Sequence, residues 1–176
     1  MKLRKTNAVF SLISTMLLFV HAISLATWML SQGKIPKLPS AMPRALTMFF
    51  LVHAILSIII FISSNKDRKK HKGKHYFKLN RATLIQRIIG ILLLPLTVPH
   101  ILGAVGVITP SPLVHAILPP LFFSLIMVHV AISTSKAFIT LGIGNARFVK
   151  CLDIVIKVVC VVTLIADIIG FYLYVC

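Results

Sequence analysis

The sequence is short of acidic residues. It has 19 lysines and arginines but only three acidic side chains, and none of them is a glutamate. The resulting formal charge of +16 is of a size found in proteins that bind nucleic acid. The mean hydropathy of +0.98 argues against that class, because a soluble domain cannot bury so much apolar surface. We therefore predict an integral membrane protein with no nucleic-acid partner.

Cysteine is also scarce, and its spacing does not indicate a metal site. The three cysteines, Cys151, Cys160 and Cys176, form neither a C-x-x-C nor a C-x-x-C-H motif. Covalent attachment of a c-type haem is therefore excluded, and the spacing disfavours an iron–sulfur or zinc site within this chain. We interpret the cysteines as small apolar residues that pack inside membrane helices.

Long apolar stretches dominate the rest of the chain. The first resembles a signal peptide, but its apolar run of about 20 residues is longer than a signal core and long enough to span a bilayer. We predict an all-α integral membrane protein with a single domain over residues 1–176. Its five transmembrane helices are expected at residues 8–31, 44–64, 83–107, 113–141 and 152–174.

Prolines and glycines predict where these helices bend or end. Pro95 and Pro99 each remove a backbone donor and should bend the third helix. The pair at 119–120 is expected to split off a short first turn of the fourth helix. Gly142 and Gly144 should end that helix, because glycine readily adopts the left-handed conformation of a helix C-terminus.

The distribution of basic residues predicts the orientation. Five spans place the termini on opposite sides of the membrane. With the N-terminus inside, 16 of the 19 basic residues lie inside, and only Lys34, Lys37 and Arg44 lie outside. The positive-inside rule therefore predicts an inside N-terminus and an outside C-terminus, in a bacterial-type cytoplasmic membrane. The basic loop 65–81 would dock a cytoplasmic partner or bind anionic lipid, which composition does not distinguish.

Histidine recurs within the apolar stretches in a repeated context. His21, His53 and His129 each follow valine and precede an Ala-Ile sequence and a serine, and His115 lies in a weaker echo. A titratable imidazole in hydrocarbon is costly and usually marks function. The alternative for any single histidine is a hydrogen bond to a neighbouring helix.

The serines that follow these histidines are Ser24, Ser57 and Ser133, three or four residues further on. At that spacing they share the face of the histidine. Small residues there would leave room for a flat macrocycle. The alternative is that they only pack helices together.

Imidazoles from different helices at one height can hold a b-type haem. Counting from the predicted inner ends places His21, His53 and His129 near the midplane, and His100 and His115 towards the outer face. We therefore predict one or two molecules of haem b. The inner set would hold one and the outer pair a second, with the iron ligands among His21, His53, His100 and His129 and their pairing open.

Other polar residues have less specific interpretations. Asp167, in the outer half of the fifth helix, needs a partner or must be neutral. It could relay a proton, orient an outer histidine, or be a hydrogen-bonded neutral acid. Asp153 and Lys157 are four residues apart and are predicted to form a local ion pair. His71 and His75 lie in the basic loop and are interpreted as solvated surface residues.

Two motifs resemble those of the cytochrome b membrane-anchor subunits of succinate dehydrogenase and fumarate reductase. One helix of that family opens with Ser-x-x-x-Arg-x-x-Gly, and Thr83, Arg87 and Gly90 occupy these positions. A later helix carries His-x-x-x-Gly-x-Arg-His-x-x-x-Asp-x-Gly. The corresponding residues here are His129, Ser133, Ser135, Lys136, Thr140 and Gly142. The resemblance covers residues 81–176, and Lys136 retains one of the positive charges of the second motif.

The resemblance implies that His129 binds haem iron and that Thr83 and Arg87 lie near a quinone site at the inner surface. On charge alone, Arg87 could pair with a haem propionate, bond a quinone oxygen, or only anchor the helix. We include Arg87 and Lys136 among the cofactor-binding residues.

The family resemblance also implies a function. The chain would be a non-catalytic electron-transfer subunit that passes electrons between an exchangeable quinone and cytoplasmic flavoprotein and iron–sulfur subunits. Two alternatives stay open. One is a stand-alone transmembrane cytochrome b that delivers electrons to an extracellular acceptor. The other is a haem-free transporter or assembly factor whose histidines carry protons.

Overall fold

The computed structural model describes residues 2–37, 39–70, 81–109 and 111–175, and within these ranges every regular element is an α-helix. Residues 71–80, which hold most of the predicted basic loop together with His71 and His75, lie outside the described residues. The five helices are α1 (Lys2–Leu30), α2 (Ala41–Lys70), α3 (Arg81–Ala104), α4 (Pro112–Leu141) and α5 (Ala146–Val175).

The helix boundaries follow from local sequence. Gly33, after α1, and Gly142, after α4, both have positive φ, and the N–H of Gly142 bonds to carbonyls of the last turn. The prediction that Gly142 ends the fourth helix is therefore confirmed. Ser111 precedes α4, whose first residue is proline, a residue preorganised for a helix start. The Asn145 side chain accepts the Phe148 N–H (2.8 Å) and caps α5.

The five predicted helices are confirmed, but several extend further than expected. The second was predicted to end at residue 64, and α2 continues to Lys70. The fifth was predicted from residue 152, and α5 begins at Ala146. Hydropathy locates the part of a helix that matches a bilayer. Residues with good helix propensity, such as lysine and arginine, continue it into the polar region.

The Pro119–Pro120 pair does not split α4, which runs without interruption through both residues. Because Pro120 has no N–H, the carbonyl of Ala116 loses its helical donor. The Tyr172 hydroxyl from α5 lies 3.4 Å from that oxygen. The Ser124 hydroxyl also donates to the carbonyl of Pro120 (2.8 Å). Hydroxyl groups therefore support the backbone where the prolines weaken it.

The packing of the helices leaves one side of the bundle open. Helix α1 packs against α2, α4 and α5, and α4 also packs against α3 and α5. The central cluster joins Ala22 of α1, Met127 and Val130 of α4, and Ile156 and Cys160 of α5. In the described part of the chain α2 and α3 do not pack closely against each other, and Arg87 of α3 lies over the ring of Phe61 of α2. A cleft therefore separates them, and α1 and α4 form its floor.

The bundle has an apolar exterior and buries hydroxylated residues beside its apolar core. All five helices are long and apolar enough to cross a membrane. Large apolar side chains such as Met48 and Leu113 are about 70% exposed, while Ser14, Thr134 and Thr163 are buried. That arrangement suits a lipid surround, in which small and hydroxylated residues pack between helices. We call the end of the bundle with Lys2, Arg81 and Leu141 the basic end, and the opposite end the distal end.

Candidate functional site

The cleft between α2 and α3 contains a cavity of about 270 Å³. Four helices line it. They contribute His53 and Ser57 from α2, Thr83, Gln86, Arg87 and Gly90 from α3, Asn7 from α1 and His129 from α4. His53 and His129 lie on opposite sides of the cleft, on α2 and α4, close enough to interact electrostatically. Two imidazoles from different helices thus share one cavity.

His53 is oriented by a side chain of another helix. Its Nδ1 lies 3.0 Å from Oδ1 of Asn7, on α1. The amide nitrogen of Asn7 donates to the Ser57 hydroxyl (3.2 Å), one turn along α2 from His53. Because this bond uses the amide nitrogen, the amide oxygen faces the imidazole and can only accept. His53 Nδ1 therefore donates, and Nε2 retains its lone pair.

His129 is held mainly by close packing against α3. A Cβ added at Gly90 would lie 3.2 Å from Cε1 of His129, so only glycine leaves the ring its present position without a shift. The backbone of Gln86 is near the ring. Even so, His129 Nδ1 is buried with no hydrogen-bond partner. A buried polar atom without a partner is uncommon and indicates a site whose ligand would complete its surroundings.

The basic end of the cavity carries two cations. Arg87 lines the cavity and lies over the ring of Phe61 (5.5 Å). Lys136 donates to the Thr83 hydroxyl (3.1 Å) and to Oε1 of Gln86 (2.9 Å). The two cations are close enough to repel each other.

Among the side chains that the structure describes, which do not include that of Asp67, the one ion pair is Lys157–Asp153 on α5. Two cations beside a cavity favour a ligand with an anionic group. The predicted pair Asp153–Lys157 is itself confirmed, on the exposed side of α5, and Asp153 also accepts from the Ser135 hydroxyl (2.7 Å).

Two further histidines of the apolar helices, His21 on α1 and His100 on α3, lie outside this cavity, and we call them the second histidine pair. The ring of His100 stacks on Phe122 of α4 at 4.8 Å. Since His129 is two turns from Phe122 on the same helix, His100 lies about 10 Å from His129 along the bundle axis.

His21 was expected beside His53 and His129, but it does not line their cavity. Its neighbour Ala22 packs against Met127 and Val130, which flank His129, so His21 and His129 lie at a similar depth. His115, expected beside His100, is exposed and faces Phe171 of α5 at 5.5 Å.

The three serines that follow the repeated histidines have different surroundings. Ser57 lines the cavity and bonds to Asn7. Ser133 is buried, but its hydroxyl donates to the carbonyl of His129 (2.6 Å) and it does not line the cavity. Ser24 also lies outside the cavity lining. Of these three serines, Ser57 alone is in the lining of the described cavity.

Sequence reasoning gave no role to Asn7 and Gln86. Asn7 fell just outside the predicted first helix, and Gln86 lies within the Thr83–Gly90 motif without being one of its defining residues. An amide inside a membrane span must find a partner, because unsatisfied polar groups are costly in hydrocarbon. That general rule indicates an interhelical bond but does not identify the partner.

Asp167 lies away from the cavity. Its side chain is 1% exposed, and Oδ1 has no hydrogen-bond partner. Among the described residues no cation pairs with it. A carboxyl group so buried and unpaired is stable as the neutral acid. Of its three predicted roles, orientation of a histidine has no contact in support.

The residues of the cleft fit a bis-histidine haem. In the described part of the chain no three His, Cys, Asp or Glu side chains converge, as a protein-ligated metal ion would need. A b-type haem needs only two imidazoles. The cavity of about 270 Å³ is near the lower limit, about 300 Å³, of small-molecule sites. The backbones of α2 and α3 stay apart along the cleft, while the side chain of Arg87 on α3 reaches the ring of Phe61 on α2.

The chain was also compared with known proteins at three levels. No protein-family model matches it, and neither a curated protein nor a solved structure matches it.

Proposed function

We propose that this chain is a b-type cytochrome of the membrane that carries electrons through haem bound between α2, α3 and α4. The observation that carries the proposal is the cavity shared by His53 and His129, with Arg87 in its lining and Lys136 bonded to Thr83 and Gln86, which also line it. Two axial imidazoles and two cations match the iron and the two carboxylates of haem b.

Each residue of the cavity would have a separate task. His53 and His129 would provide the axial nitrogens. Arg87 and Lys136 would hold the propionates, and Gly90 leaves His129 its space. When bound, the haem would supply one-electron redox chemistry, while the protein sets ligation, burial and distance.

His21 and His100 could hold a second haem in the same chain. The four histidines lie on four different helices, α1 to α4. Two haems would form an electron path between the two faces of the membrane. His115, exposed beside Phe171, would then be a peripheral residue rather than an iron ligand.

The finer function follows from the motif resemblance and the charge distribution. The basic end would face the cytoplasm. Thr83 and Arg87, at this end of the cleft, would lie near a quinone. The soluble partner would be a flavoprotein and iron–sulfur enzyme of the succinate dehydrogenase or fumarate reductase type. The concentration of cations at the basic end supports an anionic docking partner or lipid there.

A spectrum tests the proposal directly. The full-length protein, purified in detergent from cells supplied with haem precursor, should give a reduced-minus-oxidised spectrum with the sharp α-band of b-type haem. Haem quantitation should give close to two per chain. A colourless protein would contradict the proposal and favour the haem-free transporter or assembly factor. Co-purification of a flavoprotein separates the anchor subunit from the stand-alone cytochrome, which needs no such partner.

A further inference from the structure

Asn7 connects α1 to the cavity through two hydrogen bonds. Its amide oxygen accepts from Nδ1 of His53 at 3.0 Å. Its amide nitrogen donates to the Ser57 hydroxyl at 3.2 Å. His53 and Ser57 lie one turn apart on α2, so the two bonds fix the amide plane against that face of the helix.

The direction of these bonds sets the tautomer of His53. A neutral imidazole has one N–H donor and one lone pair. Because the amide oxygen of Asn7 can only accept, the proton of His53 lies on Nδ1 and the lone pair on Nε2. A histidine that binds haem iron would present the Nε2 lone pair to it, and a hydrogen-bond partner at the other ring nitrogen usually fixes this tautomer.

The other histidine of the cavity has no such partner. His129 Nδ1 is buried and makes no hydrogen bond. Its ring is positioned by the close approach of Gly90 instead. The two imidazoles are therefore held by different means, and only His53 has its donor engaged by a side-chain acceptor.

We propose that Asn7 is a positioning residue of the haem site. It holds His53 in the tautomer and orientation that present Nε2 to the iron. By accepting from Nδ1, it also increases the basicity of this ligand, which stabilises the oxidised iron and lowers the midpoint potential. This proposal rests on the proposed function, since it assigns Asn7 a role towards the same bound haem.

The test compares three variants of the full-length protein. Asn7→Leu removes the acceptor at similar size, and Asn7→Asp keeps an acceptor oxygen. Thr6→Val is the matched control, since the Thr6 hydroxyl bonds only to the Lys2 carbonyl of its own helix. For each variant, haem b is titrated into the apoprotein, and a potentiometric titration gives the midpoint potential.

We expect the Asn7→Leu protein to bind haem roughly 10- to 100-fold more weakly, the usual effect of removing the partner of a metal-bound histidine. Its midpoint potential should shift to a more positive value. The Asn7→Asp protein should retain haem and show no positive shift, and Thr6→Val should match the wild type. Ser57→Ala, which frees the amide to rotate, should shift the potential in the same direction as Asn7→Leu by a smaller amount.

Two results would overturn the role of Asn7. One is an unchanged affinity and potential in Asn7→Leu. The other is an equal loss in Asn7→Leu and Asn7→Asp, because the acceptor oxygen would then not matter. If the Asn7→Leu protein does not fold, the midpoint potential of Ser57→Ala is the test. A potential equal to that of the wild type would contradict the positioning role of Asn7. A wild-type protein that binds no haem would contradict the proposed function itself, whereas unchanged variants of a haem-loaded protein contradict only this inference.

Discussion

The two histidine pairs lie in different surroundings, although three of the four histidines share one local sequence. The pair His53–His129 lines a cavity with amides, hydroxyls and two cations around it. The pair His21–His100 lies outside that cavity, and His100 is stacked on Phe122. The repeated sequence around a histidine thus indicates only that the histidine lies on an apolar helix. The polar groups that it meets come from other helices, which the repeat does not encode.

The largest effect is expected from removing single histidines. His53→Ala and His129→Ala should each lose the haem of the cavity and leave the other haem, because one imidazole no longer completes the axial pair. His21→Ala and His100→Ala should each lose the other haem. For each variant, the haem content per chain and a potentiometric titration that resolves the two haems show which haem is lost. Two variants should lose one haem, and the other two variants should lose the other.

His115→Ala is the control for these four variants and should keep the full haem content. A different assignment of histidines to haems would contradict the distinction between the two pairs. An example is the loss of the same haem in His21→Ala and in His53→Ala.

The close packing of Gly90 predicts the next effect. A leucine at this position would meet the ring of His129, since even a Cβ would lie 3.2 Å from Cε1. Gly90→Leu should therefore displace the ring, fill part of the cavity and reduce haem content at this site. Haem quantitation and the α-band of the remaining haem measure the loss.

Gly103→Leu, on the same helix, is the matched control, because nothing lies within 4 Å of a Cβ added there. Retention of full haem content by Gly90→Leu would show that the cavity beside His129 is not the binding site.

The two cations of the cavity should have a smaller effect. Arg87→Gln and Lys136→Gln each remove a positive charge, and a charge-assisted hydrogen bond contributes about 1.5–3 kcal/mol. Each variant should bind haem roughly 10- to 100-fold more weakly. The midpoint potential of the cavity haem should become more negative, because the positive charge that is removed stabilises the reduced haem more than the oxidised haem.

Lys150→Gln, on α5, is the control for charge removal and should change neither affinity nor potential. Lys150 does not line the cavity, as Arg87 does, and does not donate to the lining residues Thr83 and Gln86, as Lys136 does. Equal shifts of the midpoint potential in all three variants would indicate a general effect of net charge. The cations Arg87 and Lys136 would then not distinguish the surroundings of the two histidine pairs.

The smallest effect is expected outside the cleft. Lys157 is 55% exposed and pairs with Asp153 on the surface of α5. Lys157→Met should change the free energy of unfolding by less than about 0.5 kcal/mol, as is usual for an exposed pair. Ser135→Ala, which removes a bond to the same carboxylate, should cost about 1 kcal/mol. Denaturant titration in detergent measures both, and haem content should be unchanged.

Most of the fold could be predicted from the sequence. Apolar runs of sufficient length located all five helices, because a bilayer requires a certain length of apolar helix. The ends were less predictable: α2 runs to Lys70 and α5 begins at Ala146, beyond the apolar stretches. Pro119–Pro120 was expected to break α4. Tertiary contacts, including the Tyr172 hydroxyl near the Ala116 carbonyl, support the helix there.

The candidate site was predictable only in part. His53, His129, Thr83 and Arg87 were expected in it, and all four line the cavity. Asn7 was not expected, because its contact with His53 joins residues 46 positions apart in sequence. A short sequence motif predicts which residue types lie at a site. It does not predict contacts between residues far apart in sequence, because these contacts depend on how the helices pack.

The sequence alone determined that five apolar helices form this protein, that its charge gathers at one end, and that histidines lie inside the spans. These properties depend on composition and on the period of a helix, so they hold whatever the packing. Only the tertiary structure decided which histidines meet, that α2 and α3 leave a cleft, and that Asn7 reaches His53. The physical reason is that the rotation and offset of each helix set these contacts, and the whole set of packed side chains determines them together.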